Sequence, residues 1–299
     1  MTAPRRIILT GATGLIGKAL SQRLSTLGYE VIPFRSRHNG PGGFDHLSGH
    51  IDRGALEGAY AVIHLAGESI AQRWTVAAKE RILSSRRDGT RLLSEALAGL
   101  KQKPAVFISM SGVNRYGLNR TEAIDESSAV SAEGFLPAVT EAWENATRPA
   151  SDGGIRTVLL RTSLVLSAMG GGLKKMLPAF RLGLGGPIGG GNQQMSWIGL
   201  PDLVELIIWS METSAIRGPV NAVAPQSATQ AEFARTLGTI LRRPSCLPMP
   251  GWVISLIFGQ MGRETVLSDL AAHPSVALKG GFRFVTPDLT SALRQAIRE

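Results

Sequence analysis

Short apolar runs alternate with longer amphipathic stretches over the first half of the chain. The short runs, rich in β-branched residues, predict strands over residues 6–10, 30–34, 61–65, 105–109 and 156–160. The longer stretches repeat apolar residues at three- and four-residue intervals, which predicts helices over residues 14–27, 77–97 and 135–150. Strands and helices in this order are typical of βαβ units, so we expect an α/β fold with a doubly wound parallel sheet.

The pattern changes after residue 166. Glycine fills residues 170–172 and dominates residues 184–191. The second run is apolar, whereas linkers are usually polar, so a loop that lines a ligand is favoured over a plain linker. Further helices are predicted over residues 201–211, 229–241, 252–259 and 288–297. We therefore divide the chain into a larger domain over residues 1–165, to which later segments can return, and a small C-terminal α+β lobe over residues 166–299.

Composition narrows the class of protein. A chain of 299 residues with 43% hydrophobic content can bury one large core and an appended lobe. The net charge of +9 suits an anionic ligand, but the basic residues are scattered and no aromatic residues interleave with them, so we expect no nucleic-acid partner. Cys246 is the only cysteine, which excludes an internal disulfide and a cysteine-based zinc site. We predict no metal site.

Two apolar stretches bear on location. The run Ile7-Ile8-Leu9 is too short for a signal-peptide core, and the run over residues 252–258 has about a third of the length that a spanning helix needs. We therefore expect a cytoplasmic protein with a small-molecule substrate and no membrane partner. The sequence does not indicate an oligomeric state.

A glycine motif lies between the first predicted strand and the first predicted helix. Glycines at this spacing permit a tight turn and let the backbone approach a pyrophosphate at the helix N-terminus. The strand before it and the amphipathic helix after it make nucleotide binding the favoured interpretation over a purely structural turn. The expected contacts are Thr10, Gly11, Thr13, Gly14, Leu15, Ile16 and Gly17.

The end of the second strand predicts which dinucleotide is bound. NAD-specific proteins place an acidic residue there, on the ribose 2′-hydroxyl. This chain has Arg35, Ser36 and Arg37 instead, and two guanidinium groups suit a 2′-phosphate. We therefore predict NADP(H) as the cofactor. The alternative is that both arginines are ordinary surface residues.

The third predicted strand runs into small residues that can pass close under a nucleotide. We assign His64, Leu65, Ala66 and Gly67 to the cofactor site, although a buried βα turn would have the same pattern. His64 has no second metal ligand at helical or hairpin spacing, which favours a structural role for its ring. We also assign Arg86, Ser109 and Arg161 to the cofactor site.

These residues resemble the extended short-chain dehydrogenase/reductase superfamily, and within it an atypical branch of predicted nucleoside-diphosphate-sugar epimerases. The resemblance covers nearly the whole chain and implies a Rossmann-type fold with a C-terminal substrate lobe. The chain departs from the branch at Gly199, where histidine is common, and at Arg115, where a second tyrosine is usual. The motifs that carry the resemblance are Arg73-Trp74, Ser85-Arg86, Ser111, Tyr116-Gly117, Trp143-Glu144, Gly185 to Gly189, Met195 to Ile198, Gly218 to Ala222 and Gly281-Phe282-x-Phe284.

The resemblance implies a catalytic serine at the end of the strand predicted over residues 105–109 and a Tyr-x-x-x-Lys pair on the next helix. Ser111 is in the right place, but residues 135–144 contain neither tyrosine nor lysine. Tyr116 is the best remaining proton donor, because it follows the strand whose carboxyl end faces the ligand. The alternative for Tyr116 is a packing role, with its hydroxyl bonded to the backbone.

The expected substrate contacts are Glu68, Arg73, Trp74, Gly186 and Trp197. For the charged residues the alternative is surface ion pairing. For the tryptophans it is core packing, and for Gly186 it is a plain linker. We predict an NADP(H)-dependent oxidoreductase, such as an epimerase, dehydratase or reductase, that acts on a small polar substrate such as a sugar nucleotide. The alternative is a catalytically decayed NADP(H)-binding regulator or scaffold, which the missing Tyr-x-x-x-Lys pair supports.

Overall fold

An eight-stranded sheet forms the centre of the protein. The computed structural model describes residues 4–298, with Thr121 described by its backbone alone, so residues 1–3 and 299 of the predicted domains lie outside the described residues. The strands are β1 (Arg6–Thr10), β2 (Glu30–Ser36), β3 (Gly43–Asp45), β4 (His50–Ile51), β5 (Ala61–His64), β6 (Val106–Gly112), β7 (Asn119–Ile124), β8 (Arg156–Thr162), β9 (Leu164–Leu166), β10 (Gln194–Met195), β11 (Trp197–Gly199), β12 (Gly218–Ala222), β13 (Ala228–Thr229) and β14 (Asp269–Ala272).

Helices connect these strands and cover both faces of the sheet. They are α1 (Leu15–Thr26), α2 (Arg53–Leu56), α3 (Val76–Ala98), α4 (Phe135–Asn145), α5 (Arg148–Asp152), α6 (Gly171–Arg181), α7 (Leu200–Glu212), α8 (Gln230–Leu241), α9 (Gly251–Thr265), α10 (Ser275–Lys279) and α11 (Leu289–Arg298), with a 3₁₀ turn over Val113–Tyr116.

The order across the sheet is β12-β8-β6-β5-β1-β2-β3-β4, and all neighbours are parallel except β3 and β4. The chain moves outward from β1 through β2 in one direction and through β5 in the other, so the winding reverses between β1 and β5. Ligands of doubly wound sheets bind at this switch point, beyond the carboxyl ends of the strands. The predicted fold class is confirmed.

Side-chain alternation explains the layers. Ile7 and Leu9 of β1 face a core that they share with α1 and α7, whereas Ile8 faces a second core with α3. Because parallel strands are covered on both faces, their residues are almost uniformly apolar. Residues 200–222 supply α7 and β12 to this sheet, so part of the chain beyond residue 166 returns to the first domain. The boundary at residue 165 stays a prediction.

The C-terminal lobe packs around Trp197. Leu173, Leu177 and Phe180 of α6 meet Phe233 of α8 in a core separate from the two beside the sheet, and α11 closes it. The lobe is joined to the larger domain by the pairing of β14 with β7.

Two predicted helices differ from the structure, and several elements were not predicted. The helix over residues 135–150 is two helices, because Pro149 has no amide hydrogen and stands in the first turn of α5. The helix α6 was missed, since its glycine-rich start and Pro178 obscure the apolar repeat. The helix predicted over residues 252–259 continues to Thr265, with a kink at Gly259, whose φ of 60° favours glycine. The short strands β3, β4, β7 and β9 to β14 were also missed.

A carboxylate from the lobe caps α4. Gly134 precedes this helix and offers no side chain, but both oxygens of Glu264 in α9 accept hydrogen bonds from the first two helical amides, Phe135 N at 3.2 Å and Leu136 N at 2.8 Å. Pro137 has no amide hydrogen, and Ala138 N bonds to Gly134 O. Every amide of this helix start is therefore accounted for.

We expect Glu264→Ala to lower the free energy of unfolding by about 2 to 4 kcal/mol, because it leaves the buried amide of Leu136 and the half-buried amide of Phe135 without acceptors. Glu232→Ala is the matched control, since Glu232 belongs to an exposed capping box at α8 and its loss costs about 1 kcal/mol. Urea denaturation of both variants measures the difference. Equal losses would contradict the special role of Glu264.

Candidate functional site

The glycine turn lies at the switch point and is open to solvent. Gly11 has a φ of 70°, and a Cβ there would lie 2.8 Å from the carbonyl carbon of Leu65. A Cβ on Gly17 would lie 2.2 Å from Gly11 O, so both positions require glycine for close backbone packing. Thr13 and Gly14 are exposed, and Gly14 precedes α1 without a side-chain cap. Because the first amides of a helix have no partner within it, this N-terminus can bind an anion.

A buried chain of hydrogen bonds supports the turn. The Thr10 hydroxyl accepts hydrogen bonds from Leu65 N and Ala66 N, both at 3.1 Å, and lies 2.7 Å from His64 Nδ1. Since its oxygen already accepts twice, the hydroxyl donates its proton to Nδ1. His64 therefore carries its own proton on Nε2, which donates to Thr90 Oγ1 at 3.0 Å.

The ring of His64 is neutral. Burial, and to a smaller extent the positive charge of Arg86, lower its pKa from 6.5 to about 4. His64 thus connects β1, β5 and α3 from beneath the site, whereas Leu65, Ala66 and the exposed Gly67 form its floor and edge. These contacts match the structural role that the sequence favoured for the His64 ring.

The two predicted phosphate-binding arginines differ in their contacts. Arg35 is exposed, and its guanidinium forms no ion pair with any residue between 4 and 298. Ser36 is also exposed, and both residues belong to β2, which is longer than predicted because it pairs with β3. Arg37 follows in the left-handed conformation, with a φ of 55°, and its Nη2 lies 3.0 Å from Glu68 Oε2. Arg35 is therefore free to bind a phosphate.

Arg86 holds the loop that follows β5. Its Nη1 donates to Glu68 O at 2.9 Å, and its guanidinium lies 4.9 Å from the centre of the Trp143 ring. Burial lowers the pKa of Arg86 to about 10, and the charge of Glu68 opposes this effect. Arg86 therefore stays charged near neutral pH and fixes the backbone at Gly67 and Glu68.

A charged cluster lies at the carboxyl ends of β6 and β8. Ser111 and Arg161 are register partners on these strands, and both bind Glu144 of α4. Ser111 Oγ donates to Glu144 Oε1 at 2.7 Å, while Arg161 donates from Nε and Nη2 to the two carboxylate oxygens, each at 2.8 Å. Arg115 Nε lies 3.6 Å from Glu144 Oε2. This cluster gives Ser111 a fixed hydrogen-bond partner.

Glu144 is the central residue of the cluster, but in the sequence it stands out only through the Trp143-Glu144 motif of the family resemblance. The available signal was its position after Trp143 on the helix that lacks tyrosine and lysine. Arg161 was expected to contact cofactor, but its guanidinium is paired with Glu144 and lies 4.8 Å from the centre of the Tyr116 ring. Arg161 therefore organises the cluster.

Tyr116 and Ser109 have packing roles. The side chain of Tyr116 is fully buried, and its hydroxyl donates to Asn221 Oδ1 of β12 at 2.8 Å. Burial raises the pKa of this phenol, which makes it a poorer proton donor. Ser109 is also fully buried and donates to Met110 O. These placements favour the packing alternative for Tyr116 and correct the expectation that Ser109 contacts cofactor.

The predicted substrate residues do not lie together. Arg73 is exposed, and Trp74 donates to Ile70 O and packs edge-on against Phe135. Glu68 is paired with Arg37, on the opposite side of β1.

The other two predicted substrate residues are corrected by their packing. Trp197 is 1% exposed in the core of the lobe, so its ring cannot serve as a substrate platform there. Gly186 is buried against Leu247, whose oxygen would lie 1.9 Å from a Cβ at this glycine. Close packing between backbones explains the glycine at this position of the predicted ligand loop.

Two absences characterise the described part of the chain. No group of three or more His, Cys, Asp and Glu side chains within it could hold a metal ion. None of its helices combines the length and apolar character that crossing a membrane requires.

The fold and the glycine turn define a class of protein, the extended short-chain dehydrogenases/reductases. The model of the NAD dependent epimerase/dehydratase family matches residues 7–222, and a domain of unknown function (DUF1731) matches residues 249–296. The chain therefore belongs to the NAD-dependent epimerase/dehydratase family, and the resemblance inferred from its motifs is confirmed.

Curated relatives match over almost their whole length. The epimerase family protein SDR39U1 of Bos taurus is 38% identical over 297 residues, which are 98% of this chain and 99% of the relative. The epimerase family protein YfhF of Bacillus subtilis is 33% identical over 299 residues, with 98% of each chain covered.

Solved structures agree with this fold. Human SDR39U1, crystallised with NADPH, superposes with a TM-score of 0.89 at 34% identity and covers 98% of this chain and 99% of its own. The UDP-glucuronic acid 4-epimerase of Bacillus cereus in complex with NAD has a TM-score of 0.75 at 17% identity, with 98% and 96% covered, and shares the fold.

We expect the neutral His64 to make folding sensitive to acid. Its pKa is about 4 in the folded protein and 6.5 in the unfolded chain, so the unfolded state binds the extra proton between these values. The contribution of His64 is therefore complete above pH 6.5 and is lost as the pH falls toward 4, by up to about 1.4 kcal/mol per pH unit.

Urea denaturation across this pH range measures the effect. His64→Asn, which retains an acceptor for Thr10, should flatten the pH dependence, and the exposed His273→Asn serves as control. A wild-type slope in the His64 variant would refute the assignment.

Proposed function

We propose that this protein is a cytoplasmic NADP(H)-dependent oxidoreductase, of the epimerase or reductase type, that acts on a small polar substrate such as a sugar nucleotide. One observation carries the proposal: Ser111, Glu144 and Arg161 form a hydrogen-bonded cluster at the carboxyl ends of β6 and β8. A hydroxyl with a buried, charge-neutralised partner at this edge suits a reaction at a carbonyl or hydroxyl group.

The residues at the switch point fit both phosphate groups of NADP(H), the pyrophosphate and the 2′-phosphate. The uncapped N-terminus of α1 and the exposed Thr13 and Gly14 would hold the pyrophosphate. The unpaired Arg35 would bind the 2′-phosphate, which distinguishes NADP(H) from NAD(H). The NADPH in the crystal structure of human SDR39U1 supports this preference. When bound, NADP(H) supplies or accepts the hydride.

The reacting end of the site belongs to Ser111. In a doubly wound sheet the adenosine half lies over β1 and β2 and the other half over β5 and β6, so the Ser111 end of β6 faces the reactive half. Ser111 is 2% exposed, so its hydroxyl would act at the inner end of the cleft, where it would turn from Glu144 to a substrate oxygen. Glu144 would then keep both hydrogen bonds from Arg161, so no carboxylate is left unpaired.

We expect Arg35→Ala to weaken NADPH binding by about tenfold and to change NADH binding little, because only NADPH carries the 2′-phosphate. Arg73→Ala is the control, since Arg73 is equally exposed, forms no ion pair with residues 4–298, and lies in the loop after β5 instead of at the end of β2. Calorimetric titration of the wild-type protein and both variants with each cofactor gives the six dissociation constants. Equal affinities of the wild-type protein for both cofactors would sink the assignment.

Turnover is tested with NADPH and a panel of aldehydes, ketones and nucleotide sugars, following both cofactor absorbance and sugar products. With any active substrate, Ser111→Ala should lower kcat/KM by about a hundredfold or more, because it removes the hydrogen bond to the reacting oxygen. Thr157→Val, at the opposite end of β8, is the control and should retain activity. Full activity of Ser111→Ala would exclude the proposed role.

The burial of Tyr116 favours a second candidate function. Its hydroxyl is bound to Asn221, and α4 has neither tyrosine nor lysine, so the site lacks the usual phenolic proton donor of the superfamily. A protein that binds NADP(H) as a signal or structural element would retain the glycine turn and Arg35 alone. Tight NADPH binding without turnover across the panel would favour this candidate.

A further inference from the structure

An ion pair crosses the adenosine end of the candidate site. Arg37 follows β2, and Glu68 follows β5, and these strands are the two neighbours of β1. Strands are spaced about 4.8 Å apart, so the two residues leave the sheet roughly 10 Å from each other. Their side chains nevertheless meet at 3.0 Å, beyond the end of β1 where the glycine turn begins.

Both ends of this ion pair are held in place. The N–H of Glu68 donates to Ser85 Oγ at 3.0 Å, and its carbonyl accepts from Arg86 at 2.9 Å. Arg37 has a left-handed backbone, which is uncommon for a residue other than glycine. The contact therefore joins two fixed points of the main chain.

Glu68 has polar partners besides Arg37, whereas Arg37 has no second carboxylate partner among residues 4–298. The Oε1 atom of Glu68 lies 3.3 Å from Gln72 Nε2 and 3.9 Å from Arg81 Nε. Among residues 4–298, Glu68 is the only carboxylate paired with Arg37. If Arg37 moved to another anion, Glu68 would keep a cation and an amide nearby. Little would be lost in the exchange.

A 2′-phosphate would compete directly with Glu68. In a dinucleotide complex of this fold, the adenosine ribose would lie at the end of β2, beside Arg35 and Arg37. Its 2′-phosphate carries more negative charge than a carboxylate. We propose that Glu68 limits the preference for NADP(H) over NAD(H) by standing in for the 2′-phosphate: it holds Arg37 in the empty site and must release it before NADP(H) can bind there. NAD(H) has no such group and leaves the ion pair intact.

The inference rests on the cofactor of the proposed function but not on catalysis, because it is tested by binding alone. In calorimetric titrations, Glu68→Gln should tighten NADPH binding by about three- to fivefold, since Arg37 no longer exchanges partners and a carboxylate no longer faces the phosphate. NADH binding should change by less than about twofold. High salt should reduce the gain, because it screens exposed charges.

Two controls separate this effect from simpler ones. Glu80→Gln changes the net charge by the same amount as Glu68→Gln, but at an exposed residue of α3 that pairs with Arg87. It should leave the dissociation constants of NADPH and NADH unchanged. In an Arg37→Gln background, Glu68→Gln should tighten NADPH binding clearly less than it does in the wild-type background, because only the repulsion between carboxylate and phosphate is then relieved.

Other outcomes overturn the proposal. If Glu68→Gln weakens NADPH binding, Glu68 orients Arg37 and does not compete for it. If NADPH and NADH binding change equally, Glu68 acts on the shared part of the cofactor. Failure of the wild-type protein to bind either dinucleotide would instead refute the cofactor assignment on which the proposed function also rests.

Discussion

The site depends on how closely β1 approaches β5 at the carboxyl end of the sheet. The Thr10 hydroxyl accepts from two amides of the β5 loop, and Gly11 packs its backbone against Leu65 at a distance that excludes any side chain. This contact closes the floor of the switch point and directs the N-terminus of α1 outward. A neutral His64 completes the arrangement from below, because a charged ring there would be buried without a counterion.

Charge is distributed unequally along the two halves of the site. At the adenosine end, Arg35 is exposed and unpaired within residues 4–298, and Arg37 has a single carboxylate partner. At the other end, Glu144 is held by two hydrogen bonds from Arg161 and one from Ser111. Loose exposed cations suit recognition of a phosphate, whereas a rigid buried pair suits the positioning of a hydroxyl. The proposed function accordingly assigns cofactor binding to the adenosine end and the reaction to the Ser111 end.

The C-terminal lobe stabilises the start of α4, the helix that carries Glu144. Glu264 of α9 caps the start of α4, and Glu144 lies near the end of the same helix. Because a buried cap fixes the first turn, the lobe and the Ser111 cluster are mechanically linked through α4. This connection gives the domain of unknown function that matches residues 249–296 a definite structural task in this chain.

The sequence by itself determined the five central strands of the sheet and the glycine turn of a dinucleotide site, since strand and helix periodicity and the steric demands of glycine are local properties. It indicated Ser111 and Arg35 for the same reason, because each follows directly from its place at a strand end. Only the tertiary structure decided that Tyr116 is buried against Asn221, that Trp197 lies in a core and that Glu68 meets Arg37. These contacts join residues far apart in the chain, and no local pattern specifies which distant side chains a fold brings together.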